Sequence, residues 1–223
     1  MENKGLRYPC LVLDHDDTTV NSSATIHYGA FVDYMQKYHP EGMISLEDYF
    51  RYNFHPGVIP MLRDICGLSE KELAEEEKFW TDYVRTRVPQ AYPGIREILE
   101  EQRRLGGRFC VISHSFSEYI RRDYRENGLP EPDMIFGWES PAEQRKPSPW
   151  PLEEIMRVYG YRREELLVVD DLKPGYDMAK AAGVPFAAAG WAYDIPEIEE
   201  FMRKNCGLYF KTVEALRQYL FGA

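Results

Sequence analysis

The sequence predicts an α/β fold: a parallel sheet covered by helices on both faces, with an all-helical segment inserted after the first strand. Three observations carry this. From residue 108 onward, short apolar runs alternate with amphipathic stretches, the pattern of strand and helix around a parallel sheet. Between about Val20 and Val88 the helical pattern continues with no convincing strand. Three apolar runs also end in small polar or acidic residues: Asp14 and Asp16, then Ser113-His114-Ser115, then Asp170-Asp171. In an open parallel sheet such strand ends share the edge where ligands bind.

The first strand is Leu11-Val12-Leu13, bounded behind by Pro9 and ahead by Asp14-His15-Asp16-Asp17-Thr18. Residues two apart in extended chain point the same way, so the Asp14 and Asp16 carboxylates leave the strand tip on one face. His15 points to the other, where packing or a satisfied hydrogen bond suits it. Two acids held together repel unless a cation or a proton separates them. Helices are then expected over residues 26–38, 46–52, 59–65 and 70–87, joined at His39-Pro40-Glu41-Gly42, His55-Pro56-Gly57 and Gly67-Leu68-Ser69. Tyr28, Phe31, Tyr34 and Tyr38 lie three or four apart and read as packing residues. His27, His39 and His55 share no metal-ligand spacing and read as solvent-facing or capping. Arg51, Asn53 and His55 gather at a break and are candidates for a loop that faces substrate.

Tyr92-Pro93-Gly94 opens an amphipathic helix carrying Ile95, Ile98, Leu99 and Leu105, which ends at Gly106-Gly107. Strands follow at 108–113, 134–138, 166–170 and 185–189, the last read as the final central strand. Helices fall at 117–126, at 149–159 behind a pair of prolines, in a stretch ending at Ala181-Ala182-Gly183, and at 212–220. The expected division is an α/β core of residues 1–19 and 89–223 and a helical cap of residues 20–88.

A chain of 223 residues suits one core domain with a smaller insertion, and 44% hydrophobic residues with 16 tyrosines are enough for a packed interior. A formal net charge of −10 argues against nucleic acid or an anionic membrane as the main partner. It also means that a phosphate-binding site must supply its own positive charge. The cysteines, Cys10, Cys66, Cys110 and Cys206, have no metal-type spacing; Cys10 and Cys110 fall at or in apolar runs and read as buried thiols. The first seven residues lead into the first strand without a signal-like apolar region, and no apolar run approaches the ~20 residues that span a bilayer. A cytoplasmic monomer is expected.

The strand ends define a chemistry. Asp14, Asp16, Asp170 and Asp171 at one sheet edge call for a hard divalent cation, for which Mg2+ is the natural choice, since it accepts carboxylates, waters and a phosphate oxygen. The Ser113 hydroxyl can donate a hydrogen bond, and the amides of His114 and Ser115 could line an anion pocket. Lys146, in a loop just before a helix start, can act as a point charge against a phosphoryl group and a nucleophilic carboxylate.

In these segments the chain resembles the haloacid dehalogenase superfamily of hydrolases. The first motif is Asp14-His-Asp16-Asp-Thr18, the second Val111-Ile-Ser113, the third Lys146-Pro-Ser-Pro149, and the fourth Val169-Asp170-Asp171-Leu-Lys-Pro-Gly175 with Ala182-Gly183 closing its helix. Each is weak alone; in this order, on these elements, they are specific. The resemblance covers essentially the whole core, which it implies is a Rossmann-like sheet, and is nearest to the helical-cap subgroup of phosphoglycolate phosphatase-like and β-phosphoglucomutase-like proteins. Asp14 would attack phosphorus to give an aspartyl-phosphate. Asp16 would protonate the leaving oxygen and later activate water. The main-chain carbonyl of Asp16 with Asp14 and Asp171 would hold magnesium, with Asp170 a further or water-mediated ligand. Ser113 and Lys146 would bind the phosphoryl group, and His114 is placed beside them with its side chain unassigned. Asp17 stands where the family often has glycine, and Thr19 where it often has leucine. The expected activity is Mg-dependent hydrolysis of a small phosphorylated metabolite. The alternatives are a phosphoryl-transferring mutase, which isomerisation of a sugar 1-phosphate without phosphate release would reveal, and a non-catalytic regulatory protein of the same fold.

Overall fold

The computed structural model describes residues 6–222; Ala223 and residues 1–5, which begin the N-terminal segment considered above, lie outside them. The chain forms two compact units. One consists of the segment up to Val20 together with Gln90 onward, the other of Asn21–Pro89.

The strands in chain order are β1 (Cys10–Leu13), β2 (Val20–Asn21), β3 (Gln90–Ala91), β4 (Arg108–Ile112), β5 (Met134–Phe136), β6 (Leu166–Asp170), β7 (Phe186–Ala189) and β8 (Leu208–Phe210). The first four α-helices are α1 (Tyr28–Tyr38), α2 (Leu46–Phe54), the single turn α3 (Val58–Pro60) and α4 (Glu70–Arg85). The other six are α5 (Ile95–Arg104), α6 (Ser117–Glu126), α7 (Trp150–Tyr159), α8 (Lys173–Ala182), α9 (Pro196–Asn205) and α10 (Val213–Phe221).

The main sheet has six strands in the order β5-β4-β1-β6-β7-β8, with every pair parallel. From β1 the chain winds outward through β4 to β5, then reverses through β6, β7 and β8. The reversal sits between β1 and β6, which is the switch point where such sheets open a crevice at their carboxyl edge. Alternation explains the continuous apolar runs. Leu11, Leu13, Phe109, Val111, Leu167 and Val169 face one side and pack with Ile95, Ile98 and Leu99 of α5, Ile120 and Tyr124 of α6, and Leu216 of α10. Val12, Cys110, Ile112 and Val168 face the other side and are equally buried, with α8 set against β6 and β7.

Several elements differ from expectation. A strand, β8, lies beyond β7, reached through α9, so 186–189 is not the last strand. It is an edge strand of three half-buried residues, Leu208-Tyr209-Phe210, too short to show a period. Val20–Asn21 pairs with Gln90–Ala91 as a two-residue ladder where helices alone were expected. The helix expected from 26 is preceded by a π-helical turn at Ser23–His27, and that expected over 59–65 is α3 followed by another at Met61–Ile65.

In the second unit Phe31, Tyr34, Met35, Tyr49, Met61 and Leu62 share one core, with Tyr28 packed against it. Tyr38 lies outside that core, half exposed, with its ring 4.9 Å from that of Tyr34. His27 and His39 stand at the N-cap and C-cap positions of α1, and their side chains are engaged: His27 Nδ1 accepts a bond from Trp80 Nε1 at 2.8 Å, and His39 Nε2 lies 2.8 Å from Glu72. Ser69 and Glu72 start α4 with a reciprocal capping box. Arg51 is paired within its own helix to Glu47 and Asp48. All four cysteines are buried free thiols. Among the described residues no helix is long and apolar enough to cross a membrane.

Candidate active site

The carboxyl ends of β1 and β6 are knitted together by Asp14 N donating to Val169 O at 2.9 Å. This brings Asp14, Asp170 and Asp171 to one place, with one carboxylate oxygen of each within 4.8 Å of the others, all three buried. Lys146 reaches the same point from the loop before α7. Its Nζ donates to Asp14 Oδ1 and to Asp170 Oδ2 at 2.8 Å each, and its side chain is only 3% exposed. The other oxygen of Asp170 accepts from Leu172 N at 2.8 Å. Gly175, in the first turn of α8, permits this arrangement: a Cβ there would overlap the Asp170 carboxylate.

The Asp16 carboxylate stands apart from this cluster, held by Ser115 Oγ at 2.6 Å and Ser113 Oγ at 3.4 Å on its Oδ2. The two acids of the first motif are thus separated: Asp14 faces a cation, Asp16 faces hydroxyl donors and is half-buried. His15 between them turns the other way, onto α6, where its Nε2 lies 3.1 Å from Asp123 Oδ2 and its ring stacks on Tyr124. Asp17 follows in the left-handed region at φ 57, which lets the chain turn back so that Asp17 N donates to Val20 O at 2.7 Å. Aspartate tolerates that conformation better than most residues, though glycine adopts it without strain.

Three carboxylates against one ammonium leave two negative charges uncompensated if all are ionised. The protonation equilibria reflect this. Burial, together with the charges of Asp170 and Asp16, pushes Asp14 up to about 7 despite the pull of Lys146. Burial and the neighbouring Asp170, Asp14 and Asp17 hold Asp171 well above the usual carboxylate range. For Lys146 burial favours the neutral amine, but the Asp14 and Asp170 charges outweigh it and raise the pKa, so the ammonium persists. A buried, oxygen-only donor set with excess negative charge fits a hard divalent cation. Asp14, Asp170 and Asp171 could hold one.

The side chain of His114, unassigned from the sequence, and the Ser115 amide, expected to line an anion pocket, both have partners within the protein. His114 offers no positive charge: burial and the nearby Lys146 push its imidazole down to about 4, and its Nε2 lies 3.2 Å from the Lys146 carbonyl while its ring meets the edge of Trp138. The Ser115 amide is also not an open anion donor, because it donates to Ser113 Oγ at 3.1 Å. Other contacts carry no signal in the sequence. Thr18 Oγ1 donates to Asp171 Oδ1 at 3.2 Å, and Thr19 Oγ1 to the Asp14 carbonyl at 2.7 Å. Trp191 Nε1 donates to the Thr18 carbonyl at 3.2 Å, and Tyr193 OH lies 3.0 Å from Asp171 Oδ2.

A Rossmann-ordered parallel sheet with a buried aspartate–lysine centre at its switch point defines an α/β protein with a ligand-binding edge built for charge chemistry. The chain belongs to the haloacid dehalogenase-like hydrolases, whose family model matches residues 11–189. It is 25% identical over 127 residues to a phosphoglycolate phosphatase of Mesorhizobium japonicum, an alignment covering 56% of each chain, little more than half of that protein's length. It is 25% identical over 187 residues to the pyrophosphatase PpaX of Halalkalibacterium halodurans, covering 82% of this chain and 83% of that one. Among solved structures, a haloacid dehalogenase-like hydrolase from Bacteroides fragilis superposes with a TM-score of 0.79 at 21% identity over 94% of this chain and 99% of that one, a likeness of fold.

Proposed function

We propose that this hydrolase is a Mg2+-dependent phosphatase of a small phosphorylated metabolite, working through an aspartyl-phosphate on Asp14. The observation that carries the reading is the buried Lys146 ammonium bonded to Asp14 Oδ1, with the acid Asp16 held separately by Ser115. Lys146 occupies one oxygen of Asp14, leaving Oδ2 to attack phosphorus. As that bond forms, the bond from phosphorus to the leaving oxygen breaks, and Asp16 delivers a proton to that oxygen. Asp16 then takes a proton from the water that attacks the acyl-phosphate, releasing inorganic phosphate and restoring Asp14.

Magnesium, held by Asp14, Asp171 and the main-chain carbonyl of Asp16 with Asp170 close by, would neutralise charge on the phosphoryl oxygens. Lys146 and the Ser113 hydroxyl would bind those oxygens, with the main-chain amide of His114 beside them. Uncatalysed phosphate-monoester hydrolysis is slow enough that accelerations reach ~10²¹, so positioning and charge neutralisation are most of the task. Residues 20–88 would serve as a helical cap that admits substrate and excludes water.

The test is hydrolysis of p-nitrophenyl phosphate, then of phosphoglycolate and inorganic pyrophosphate, the substrates that the relatives' names point to. Activity should require magnesium, vanish in chelator and vanish in Asp14→Asn. A protein that releases phosphate from none of a broad metabolite panel, and captures no beryllium fluoride with magnesium, sinks the proposal.

A further inference from the structure

Asp171 is the carboxylate of the cluster that Lys146 does not reach. The ammonium bonds Asp14 and Asp170, whereas Asp171 is held by two hydroxyls. Thr18 Oγ1 donates to its Oδ1 at 3.2 Å, and Tyr193 OH lies 3.0 Å from its Oδ2 and 3.0 Å from its main-chain oxygen. Asp171 is only 2% exposed, so bulk water cannot replace a lost partner. Without Tyr193, Thr18 would be the one side-chain donor among the described residues bonded to this carboxylate, and the group could turn about its terminal torsion, which is soft and broad.

Tyr193 comes from a part of the chain that no motif marks. It lies in the connection between β7 and α9, which is anchored at its start to β8. Gly190 N donates to Phe210 O at 2.8 Å, and a Cβ at Gly190 would overlap the Tyr209 ring. Two residues before Tyr193, Trp191 Nε1 bonds the Thr18 carbonyl. One short connection therefore ties the loop after β1 to Asp171, the acid just beyond β6.

We infer that Tyr193 is a positioning residue of the metal site: its hydroxyl fixes the Asp171 carboxylate so that the remaining lone pairs face the cation. This rests on the metal-dependent reading proposed above. Outer-shell partners of this kind typically change metal affinity by about 10- to 100-fold when removed. Tyr193→Phe removes the hydroxyl and keeps the ring, so the packing of the connection is preserved.

The experiment is magnesium binding to the full chain by titration calorimetry, with the magnesium dependence of the unfolding temperature as a second readout. Tyr193→Phe should bind magnesium at least about tenfold more weakly than the unaltered protein. Its unfolding temperature in chelator should stay within about 2 °C of the unaltered protein's, and the gap in magnesium-induced stabilisation should grow with magnesium and level off once both proteins are saturated. A purely structural role predicts the reverse, a lower unfolding temperature in chelator with affinity kept. Affinity within twofold of the unaltered protein, while Asp171→Asn abolishes binding, overturns this inference alone. Failure of the unaltered protein to bind magnesium overturns the metal reading and this inference with it.

Discussion

Replacing Lys146 by methionine removes the ammonium and keeps most of the stem. It leaves Asp14, Asp170 and Asp171, at 4%, 1% and 2% exposure, gathered within 4.8 Å with no ion-pair partner among the described residues. At 2.8 Å and an effective dielectric near 20, each of the two pairs is worth roughly 6 kcal/mol in gross Coulomb energy. Much of that is offset by the cost of burying the ammonium. Removing one partner of a buried pair costs about 3–5 kcal/mol net, which corresponds to a fall of roughly 6–20 °C in unfolding temperature for a chain of this size.

The deficit should depend on pH, and its sign is determined by the direction of the Asp14 and Asp171 shifts. Both folded pKa values lie above the unfolded carboxylate value, so between the two values the native state holds more protons and stability falls as pH rises. Without Lys146 the shifts grow, and the deficit of the variant should be larger at pH 7.5 than at pH 5. Urea unfolding in chelator at the two pH values measures it, and magnesium should recover part of the loss at the higher pH. A deficit below about 1 kcal/mol at pH 7.5, or one equal at both pH values, would show that Lys146 does not balance these acids.

Gly175→Ala places a Cβ against the Asp170 carboxylate, which Lys146 and Leu172 N hold in place; stability should fall by about 1–3 kcal/mol in chemical denaturation, with a loss of phosphatase activity. Ser115→Ala removes the 2.6 Å bond to Asp16. A hydrogen bond to a charged group is worth about 1.5–3 kcal/mol, so kcat should drop on the order of 10- to 100-fold with KM little changed in steady-state assays. In the second unit, the hydrogen bond to Glu72 raises the His39 pKa, while bonds from Ser69 and His39 lower Glu72 to about 2. The histidine's contribution is complete below its unfolded pKa, near 6.5, and is lost as pH rises through the higher folded value. The glutamate's is complete above about 4.5 and is lost as pH falls toward 2. The difference in unfolding temperature between the unaltered protein and His39→Gln should therefore be widest near pH 5–6 and shrink by pH 9.

What the sequence made legible follows from burial and chain direction. β1, β4 and β6 are buried on both faces, so their apolar runs stand out, and their last residues mark the carboxyl edge directly. Asp14, Lys146, Asp170 and Asp171 were readable because each is an ionisable group at the end of such a run or in a loop beside one. β8 was not readable, because an edge strand of half-buried residues carries no clean period. Nor was the pairing of Gln90–Ala91 with Val20–Asn21, where two residues are too few to show alternation. The partners of the acids were hidden for another reason. Ser115, Thr18 and Tyr193 act through one oxygen each, at separations of 99, 153 and 22 residues from the carboxylate they bond, and no local spacing encodes a contact of that kind.

Those partners explain how two aspartates two residues apart acquire different chemistry. Their backbone positions are nearly equivalent, and both leave the tip of one strand. Asp14 is drawn toward Lys146 and the β6 acids, where burial and like charge make it reluctant to ionise without a cation. Asp16 is drawn to the Ser113–Ser115 turn after β4, where it is half-buried and bonded to two hydroxyls. His15 enforces the division from behind, since its bond to Asp123 fixes the peptide between the two acids against α6. On the metal-dependent reading proposed above, a cation in this centre would favour the ionised form of Asp14 at neutral pH. Asp16, bonded outside the cluster, would then be left to exchange its proton with the leaving group and with water, as the proposed function requires.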